Sequence, residues 1–422
     1  MIELFKISSL ILILILLIRF KIPLYISIFI LSIYFIIIYK INYLIILISI
    51  KNLFLISSNL NLILAVILIT FLGQILSSSG NFKNTFLLIS SKIKNIKYAI
   101  SIIPALIGLI PMPGGALFSA PIVDEGGKLI SLDQNEKHNI NYIFRHLWEF
   151  FWPTYPAILL ISNFFNIGIK KIINNQIIYS LIYTITALLI FIISIKKIKI
   201  DINHKTTDNK NNFKKFNINN LFIFQFFKFF WPIILLLLTL IIFEININII
   251  VSIILILFFI INKFTFNRII IEFKKSFSLP NLLTIISILI FKELISNSKV
   301  LDNLPVVLSN LNVPDVLIAF FSPFLIGFLT GLTVASVGIS FPILKSFYFV
   351  NNFINYPLIM ISLIAGFWGV MLSPVHLCLS LTKDYFKTSF NEIYPKLIIF
   401  FILNLILSIL LYLINFPPII KI

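Results

Sequence analysis

Ile103-Pro-Ala-Leu-Ile-Gly-Leu-Ile-Pro-Met-Pro-Gly-Gly-Ala-Leu-Phe-Ser-Ala-Pro121 is apolar enough for a bilayer, yet it holds four prolines and three glycines. A helix interior tolerates neither residue well. Lipid tolerates no unpaired backbone at all. The stretch can lie at membrane depth only where protein or a watery cavity covers it, which is how transporters build sites for solutes.

Working outward, the chain has 422 residues, 59% of them hydrophobic and 11% charged. Apolar blocks of roughly 17–22 residues recur from end to end, the length that crosses about 30 Å of hydrocarbon. No polar half is present that could make a soluble domain. The first block, Ile7–Leu17, is followed by no small-x-small cleavage site and is read as a retained span rather than a signal peptide. The net charge of +18 accompanies heavy use of Ile, Asn, Lys and Phe. It fits basic cytoplasmic loops and not a nucleic-acid partner, for which there is no soluble basic module. A single cysteine, Cys378, excludes an internal disulfide and a Cys-based metal cage. The histidines at 138, 146, 204 and 376 show no metal-ligand spacing. No cofactor, metal or catalytic set is expected.

The polar stretch Lys196–Asn220 lies near the middle, where a linker between two halves belongs. Phe71-Leu-Gly-Gln-Ile-Leu-Ser-Ser-Ser resembles Phe291-Lys-Glu-Leu-Ile-Ser-Asn-Ser. Pro104-Ala-Leu-Ile-Gly-Leu resembles Pro323-Phe-Leu-Ile-Gly-Phe, and Trp148-Glu-Phe-Phe-Trp-Pro resembles Trp368-Gly-Val-Met-Leu-Ser-Pro. The three matches keep their order at an offset of roughly 220, the mark of an internal repeat. The expected fold is an all-α polytopic membrane protein of about 10 transmembrane helices. Spans are read near 3–18, 22–39, 60–78, 142–162 and 177–195, then 221–243, 246–262, 280–296, 356–380 and 397–415. Residues 41–58 and 264–278 look interfacial, and 100–123 and 315–344 look like re-entrant hairpins. The domains are a first repeat, 1–195, a basic linker, 196–220, and a second repeat, 221–422. Five crossings per half make the repeats inverted. With the linker in the cytoplasm, 23 Lys and Arg fall inside and eight outside, as the positive-inside rule requires. This places the chain in the cell (inner or plasma) membrane with the lipid bilayer as a partner. A homodimer is left open.

Candidate substrate residues sit at the two hairpin tips. Pro111, Pro113, Gly114 and Gly115 bring backbone N–H or C=O groups close to a ligand; the alternative is a tightly packed helix pair. In the second tip, Thr330, Gly331, Thr333, Ser336 and Ser340 offer hydroxyls and a glycine, against the alternative that each hydroxyl bonds back to its own helix. Arg145 and Glu149 share a helix face, and His146 lies beside Glu149. Arg145 would hold an anion, and Glu149 or His146 a coupling proton. The alternative is an interfacial anchor, with Trp148 and Trp152 in the aromatic belt. A His-x-x-Glu metal site lacks its second pair. Glu293, next to Lys292 and matching Gln74, and His376, beside the break at Ser373-Pro, complete the coupling-ion candidates.

The run Pro104–Asp124, followed by Asn141-Tyr-Ile-Phe-Arg-His-Leu-Trp-Glu149, resembles the signature of an uncharacterised prokaryotic integral-membrane family of the domain-of-unknown-function type, grouped with the ion transporter superfamily. The resemblance implies two inverted repeats, each with a re-entrant hairpin, and secondary transport of an anion. The Ser-Asn-Thr hairpin motifs of the superfamily's dicarboxylate carriers are absent, so their substrate and coupling ion do not carry over. The expected function is a secondary active transporter of a small, anionic solute coupled to H⁺ or Na⁺. The alternatives are an intramembrane enzyme for a lipid-linked substrate, using His146, Glu149 and Asp124, or a channel or membrane subunit of a larger complex.

Overall fold

The computed structural model describes residues 2–79, 96–109, 111, 115–196, 221–243, 245–302, 304–305, 313–350, 353–414, 416 and 420–421. Pro113, Gly114 and all but the first residue of the expected linker lie outside them. The described residues form 18 α-helices and one three-stranded antiparallel sheet of two-residue strands, in which Phe353–Ile354 pairs with Ile420–Lys421 on one side and Phe349–Val350 on the other. Four helices, Ser57–Ser78, Ile169–Ile193, Leu279–Ser298 and Phe390–Leu413, are long and apolar enough to cross a membrane.

The helices fall into two series of nine in matching order. The first is α1 (Ile2–Arg19), α2 (Leu24–Ile38), α3 (Tyr43–Leu55), α4 (Ser57–Ser78), α5 (Ile96–Gly108), α6 (Ala116–Leu129), α7 (Gln134–Arg145), α8 (Pro156–Phe165) and α9 (Ile169–Lys196). The second is α10 (Leu221–Ile242), α11 (Ile247–Ile261), α12 (Phe266–Ser276), α13 (Leu279–Ser298), α14 (Asp315–Thr330), α15 (Thr333–Ile343), α16 (Tyr356–Met371), α17 (Leu377–Phe386) and α18 (Phe390–Leu413). The local stop signals recur with them. After α2 and α11 the chain turns left-handed at Lys40 and Lys263, both with φ 50. The Asn42 and Thr265 side chains then accept a backbone N–H to start α3 and α12, as N-caps do. Left-handed Asn166 and Lys387 end α8 and α17.

Packing is reciprocal between the series. Helices α2 and α3 pack on α13, and their counterparts α11 and α12 pack on α4. Likewise α8 packs on α15 while α17 packs on α6. Within each series the hairpin helix crosses the next long helix closely, α5 on α7 and α14 on α16. The shared Pro-x-x-x-Gly motif explains that crossing. A Cβ on Gly108 would run into the Arg145 carbonyl, and one on Gly327 into the Gly366 carbonyl. Small residues are what let helix backbones touch in membranes.

Polarity runs from inside to outside in the order a bilayer demands. Leu181, Ile185 and Leu189 of α9, Ile249, Ile253 and Ile256 of α11, and Ile399, Ile402 and Ile406 of α18 are exposed. Asn59, His138, Asn141, Arg145, His146, Glu293 and His376 are buried. Water would penalise that apolar exterior, whereas lipid accepts it. The molecule is a helical membrane protein.

One crossing expected from the sequence is not a helix throughout. Over 142–162 the helix stops at Arg145, the chain makes turns from 146 to 155, and α8 starts at Pro156. Pro153 and Pro156 carry no N–H for the helical ladder and hold the preceding residue extended; Tyr155 has φ −75 and ψ 127. The second series breaks at the corresponding place, between Met371 and Leu377, around Ser373-Pro374.

Candidate functional site

Both hairpins and both broken helices converge on one place. The loose carbonyls there are capped by side chains. Trp148 Nε1 donates to Ala105 O at 2.6 Å and the Tyr155 hydroxyl to Gly108 O at 2.7 Å, closing the end of α5. Ser373 Oγ donates to Phe328 O at 2.5 Å, near the end of α14. Tyr183 and Ser180 of α9 donate to Ile143 O and Leu147 O. Tyr142 and Tyr394 donate to Met371 O and Leu372 O. Trp148 and Trp152 therefore sit inside the protein, Trp152 buried and Trp148 partly so, and not in an aromatic belt.

The amide ends are treated differently. Helices α6, α8, α15 and α17 begin here, and among the described residues none has an N-cap side chain bonded to its first turn; the Thr330 hydroxyl accepts the Leu332 N–H just before α15. Of those first turns Ala116, Ala157, Ala335 and Leu379 are buried, while Leu117, Phe118 and Leu377 are exposed, and the Phe118, Ile158 and Ala335 N–H groups already donate to Gly115, Tyr155 and Leu332 carbonyls. The N-termini of α8, α15 and α17 line a cavity of about 240 Å³, smaller than the roughly 300–1,000 Å³ of sites for drug-sized ligands. The N-terminus of α6 abuts it across Arg145, because a Cβ on Gly115 would fall on the guanidinium. Each helix N-terminus carries about half a positive charge.

Of the residues singled out in the sequence, Pro111, Arg145, Glu149, Gly331, Thr333 and His376 line this cavity. Arg145 is 2% exposed and lies beside Tyr155 and Glu149. Glu149 accepts the Thr333 hydroxyl at 3.3 Å, and its other oxygen is 3.7 Å from His146 Nε2. His146 stands just behind the wall, its Nε2 3.2 Å from His376 Nε2. Gly331 turns the hairpin with φ 67, a conformation glycine takes without strain.

Other candidates are placed elsewhere. Thr330 donates back to Ile326 O at 2.7 Å, Ser336 to Pro323 O at 2.8 Å and Ser340 to Ser336 O. These hydroxyls tie the hairpin together and do not face the cavity. Glu293 pairs with Lys292 at 2.9 Å and accepts from Asn59 at 3.1 Å, while Lys292 also reaches Asn163. That buried cluster joins α4, α8 and α13, away from the cavity. Gln74 donates to Glu272 of α12 at 2.8 Å. Asp124 pairs with Lys128 at 2.6 Å and Lys137 at 3.0 Å. Burial pushes its carboxyl up, but the two lysines outweigh that and hold it below its ordinary value. Asp124 is thus spent as an ion-pair partner and does not join His146 and Glu149. A larger cavity, about 350 Å³, is lined by Asn61, Asn163, Asn166 and Asn248 with Lys170. Among the described residues, no carboxylate or histidine lines it.

The residue that sequence reasoning passed over is Cys378. It lines the cavity, and its Sγ lies within 4.8 Å of the His146 and His376 ring nitrogens. A lone cysteine in an apolar run has no spacing signal, and the two histidines are 230 positions apart.

The chain belongs to the DUF401 family, described as a protein of unknown function, whose profile matches residues 2–415. No curated protein matches the sequence.

Proposed function

We propose that this protein is a multi-pass secondary active transporter of the cell membrane, moving a small anion coupled to H⁺ or Na⁺, with the architecture of the ion transporter superfamily. Residues 1–195 and 221–422 are two inverted repeats, joined by the basic segment 196–220 on the cytoplasmic side. The two series of nine helices and their reciprocal packing support the repeats. The two helix–turn–helix units, α5–α6 and α14–α15, serve as re-entrant hairpins.

One observation carries the reading: the N-termini of α8, α15 and α17, whose N-cap side chains make no capping bond, line a cavity that also holds Arg145, and the N-terminus of α6 lies against that arginine. Each N-terminus stabilises an anion by about 0.3–2 kcal/mol, and the arginine adds a charge-assisted bond. The carbonyl ends that would favour a cation are already occupied by Tyr, Trp and Ser donors. Half the site comes from each repeat, so rocking one repeat against the other opens it to alternate sides. Glu149, with His146 and His376 beside it, handles a coupling proton; Na⁺ is the other coupling ion. The enzyme alternative loses a member of its cluster, since Asp124 is committed to two lysines.

A thermal-shift screen of the purified protein against small anions, cations and neutral solutes tests this. An anion should stabilise the wild type, and Arg145→Gln should lose that anion more than any neutral solute. Stabilisation only by neutral or cationic solutes would overturn the proposal.

A further inference from the structure

We infer that His146, His376 and Cys378, with Glu149, form a transition-metal site of the Zn²⁺ class at the junction of the two broken helices. The argument begins with the tautomers. His146 Nδ1 is 2.6 Å from Tyr142 O, and His376 Nδ1 is 2.8 Å from Gly331 O. A carbonyl oxygen only accepts, so each Nδ1 carries a proton and each neutral ring presents its lone pair at Nε2. Those two lone pairs face each other at 3.2 Å in a buried setting. Two acceptors at that distance repel unless a cation or a donor, such as the Cys378 thiol, sits between or beside them.

The neighbours favour a metal over a proton alone. Cys378 Sγ lies within 4.8 Å of both rings, and Glu149 Oε1 lies 3.7 Å from His146 Nε2. Two imidazoles and one thiol are gathered as an N₂S set, and the Glu149 carboxylate beside His146 is the donor that would complete the tetrahedral chemistry of zinc. With Zn–N bonds of 2.0–2.1 Å, the N···N edge of a tetrahedron is about 3.3 Å, close to the distance found. The anchoring of both Nδ1–H groups on backbone carbonyls is the outer-shell arrangement that orients metal-bound histidines. Charge also balances. Zn²⁺ displaces the thiol proton, and thiolate plus Glu149 carboxylate neutralise the ion, leaving Arg145 as the local positive charge.

The ligands come from both series, His146 and Glu149 from the break before α8, His376 and Cys378 from the start of α17. The ion therefore ties the two halves together at the wall of the cavity. It and a coupling proton are mutually exclusive occupants of the same lone pairs.

Co²⁺ titration of the metal-free, full-length protein in detergent tests the site. The expected result is one Co²⁺ per chain, with tetrahedral d–d bands and a near-ultraviolet thiolate-to-cobalt charge-transfer band. Cys378 is the chain's single cysteine, so that band in the wild type alone identifies the ligand. Zn²⁺ should bleach the spectrum by displacement. Cys378→Ser should abolish the charge-transfer band, and His376→Ala should weaken binding by about 100-fold or more, with melting temperatures confirming folding. Absence of saturable binding, a wild-type spectrum without the thiolate band, or unchanged titration in a folded His376→Ala protein would overturn the site.

Discussion

Replacing Gly115 by alanine separates the binding role of Arg145 from its packing role. Gly115 has φ −55 and ψ −19, so alanine meets no backbone strain there. Its Cβ would coincide with Arg145 Nη2 and crowd Cζ and Nε. Arg145 is 2% exposed, so its guanidinium must shift within packed surroundings and cannot swing into solvent. One added methyl in a packed site costs about 1–3 kcal/mol, partly offset by about 0.4–1 kcal/mol from a less flexible unfolded chain. Stability should therefore fall by no more than about 2.6 kcal/mol. Losing a buried charged partner costs binding about 2–5 kcal/mol, or roughly 30- to 5,000-fold, and a displaced arginine should lie toward the lower end. Gly168→Ala is the control, since a Cβ there meets nothing within 4 Å. Proteoliposome uptake gives the apparent anion affinity, and thermal melting reports the fold. A folded Gly115→Ala protein with unchanged anion affinity would refute the placement of Arg145 against the solute. Equal losses for anionic and neutral solutes would make the arginine structural.

Gly369→Ala should behave in the opposite way, because its Cβ would strike the Phe324 carbonyl and the Phe328 amide, which are backbone atoms that cannot yield. We expect at least about 1–3 kcal/mol of destabilisation in chemical unfolding, and a near-wild-type value would refute the close α14–α16 crossing. Tyr142→Phe removes the hydroxyl that donates to Met371 O at 2.9 Å across the two halves and leaves a buried carbonyl short of a partner. It should cost about 1–3 kcal/mol, read as a lower melting temperature. Glu392 accepts the Ser389 backbone N–H and hydroxyl, and these bonds lower its carboxyl below the usual 4.5. A lowered folded value means that its contribution is complete above about 4.5 and is lost as pH falls through the folded value. Glu392→Gln should therefore reduce the acid-side loss of stability in melts across that range, and an unchanged acid limb would dismiss a stabilising role for the Ser389–Glu392 bonds.

The close crossings of α5 on α7 and of α14 on α16 were legible because proline and glycine leave a strong local mark: Pro104 and Gly108 announce a helix that bends and packs closely, and the motif recurs at Pro323 and Gly327. The break at 372–376 was legible for the same reason at Ser373-Pro374. Pro153 and Pro156 announced a break at 146–155 too, but that the helix already stops at Arg145 was not legible, because Arg145 to Trp152 reads as an amphipathic helix. What stops the helix is tertiary: Trp148 and Tyr155 are drawn to carbonyls of α5. Thr330 and Ser336 misled for a related reason. A hydroxyl in apolar sequence signals a polar need without saying whether backbone or solute meets it, and here backbone does. Glu293 looked like a cavity residue because a buried acid needs a partner; Lys292 and Asn59 supply it locally. The convergence of His146, His376 and Cys378 depends on how the two series pack, which no short window of sequence encodes.

The most direct measurement of the central claim is counterflow. Proteoliposomes loaded with a candidate anion are diluted into a trace of its labelled form, with and without a Na⁺ or pH gradient. Transient accumulation of label for a small anion, lost on Arg145→Gln in protein that still melts cooperatively, is the result expected. Accumulation of only neutral or cationic solutes, or anion accumulation indifferent to Arg145, would contradict an anion held by helix ends and an arginine.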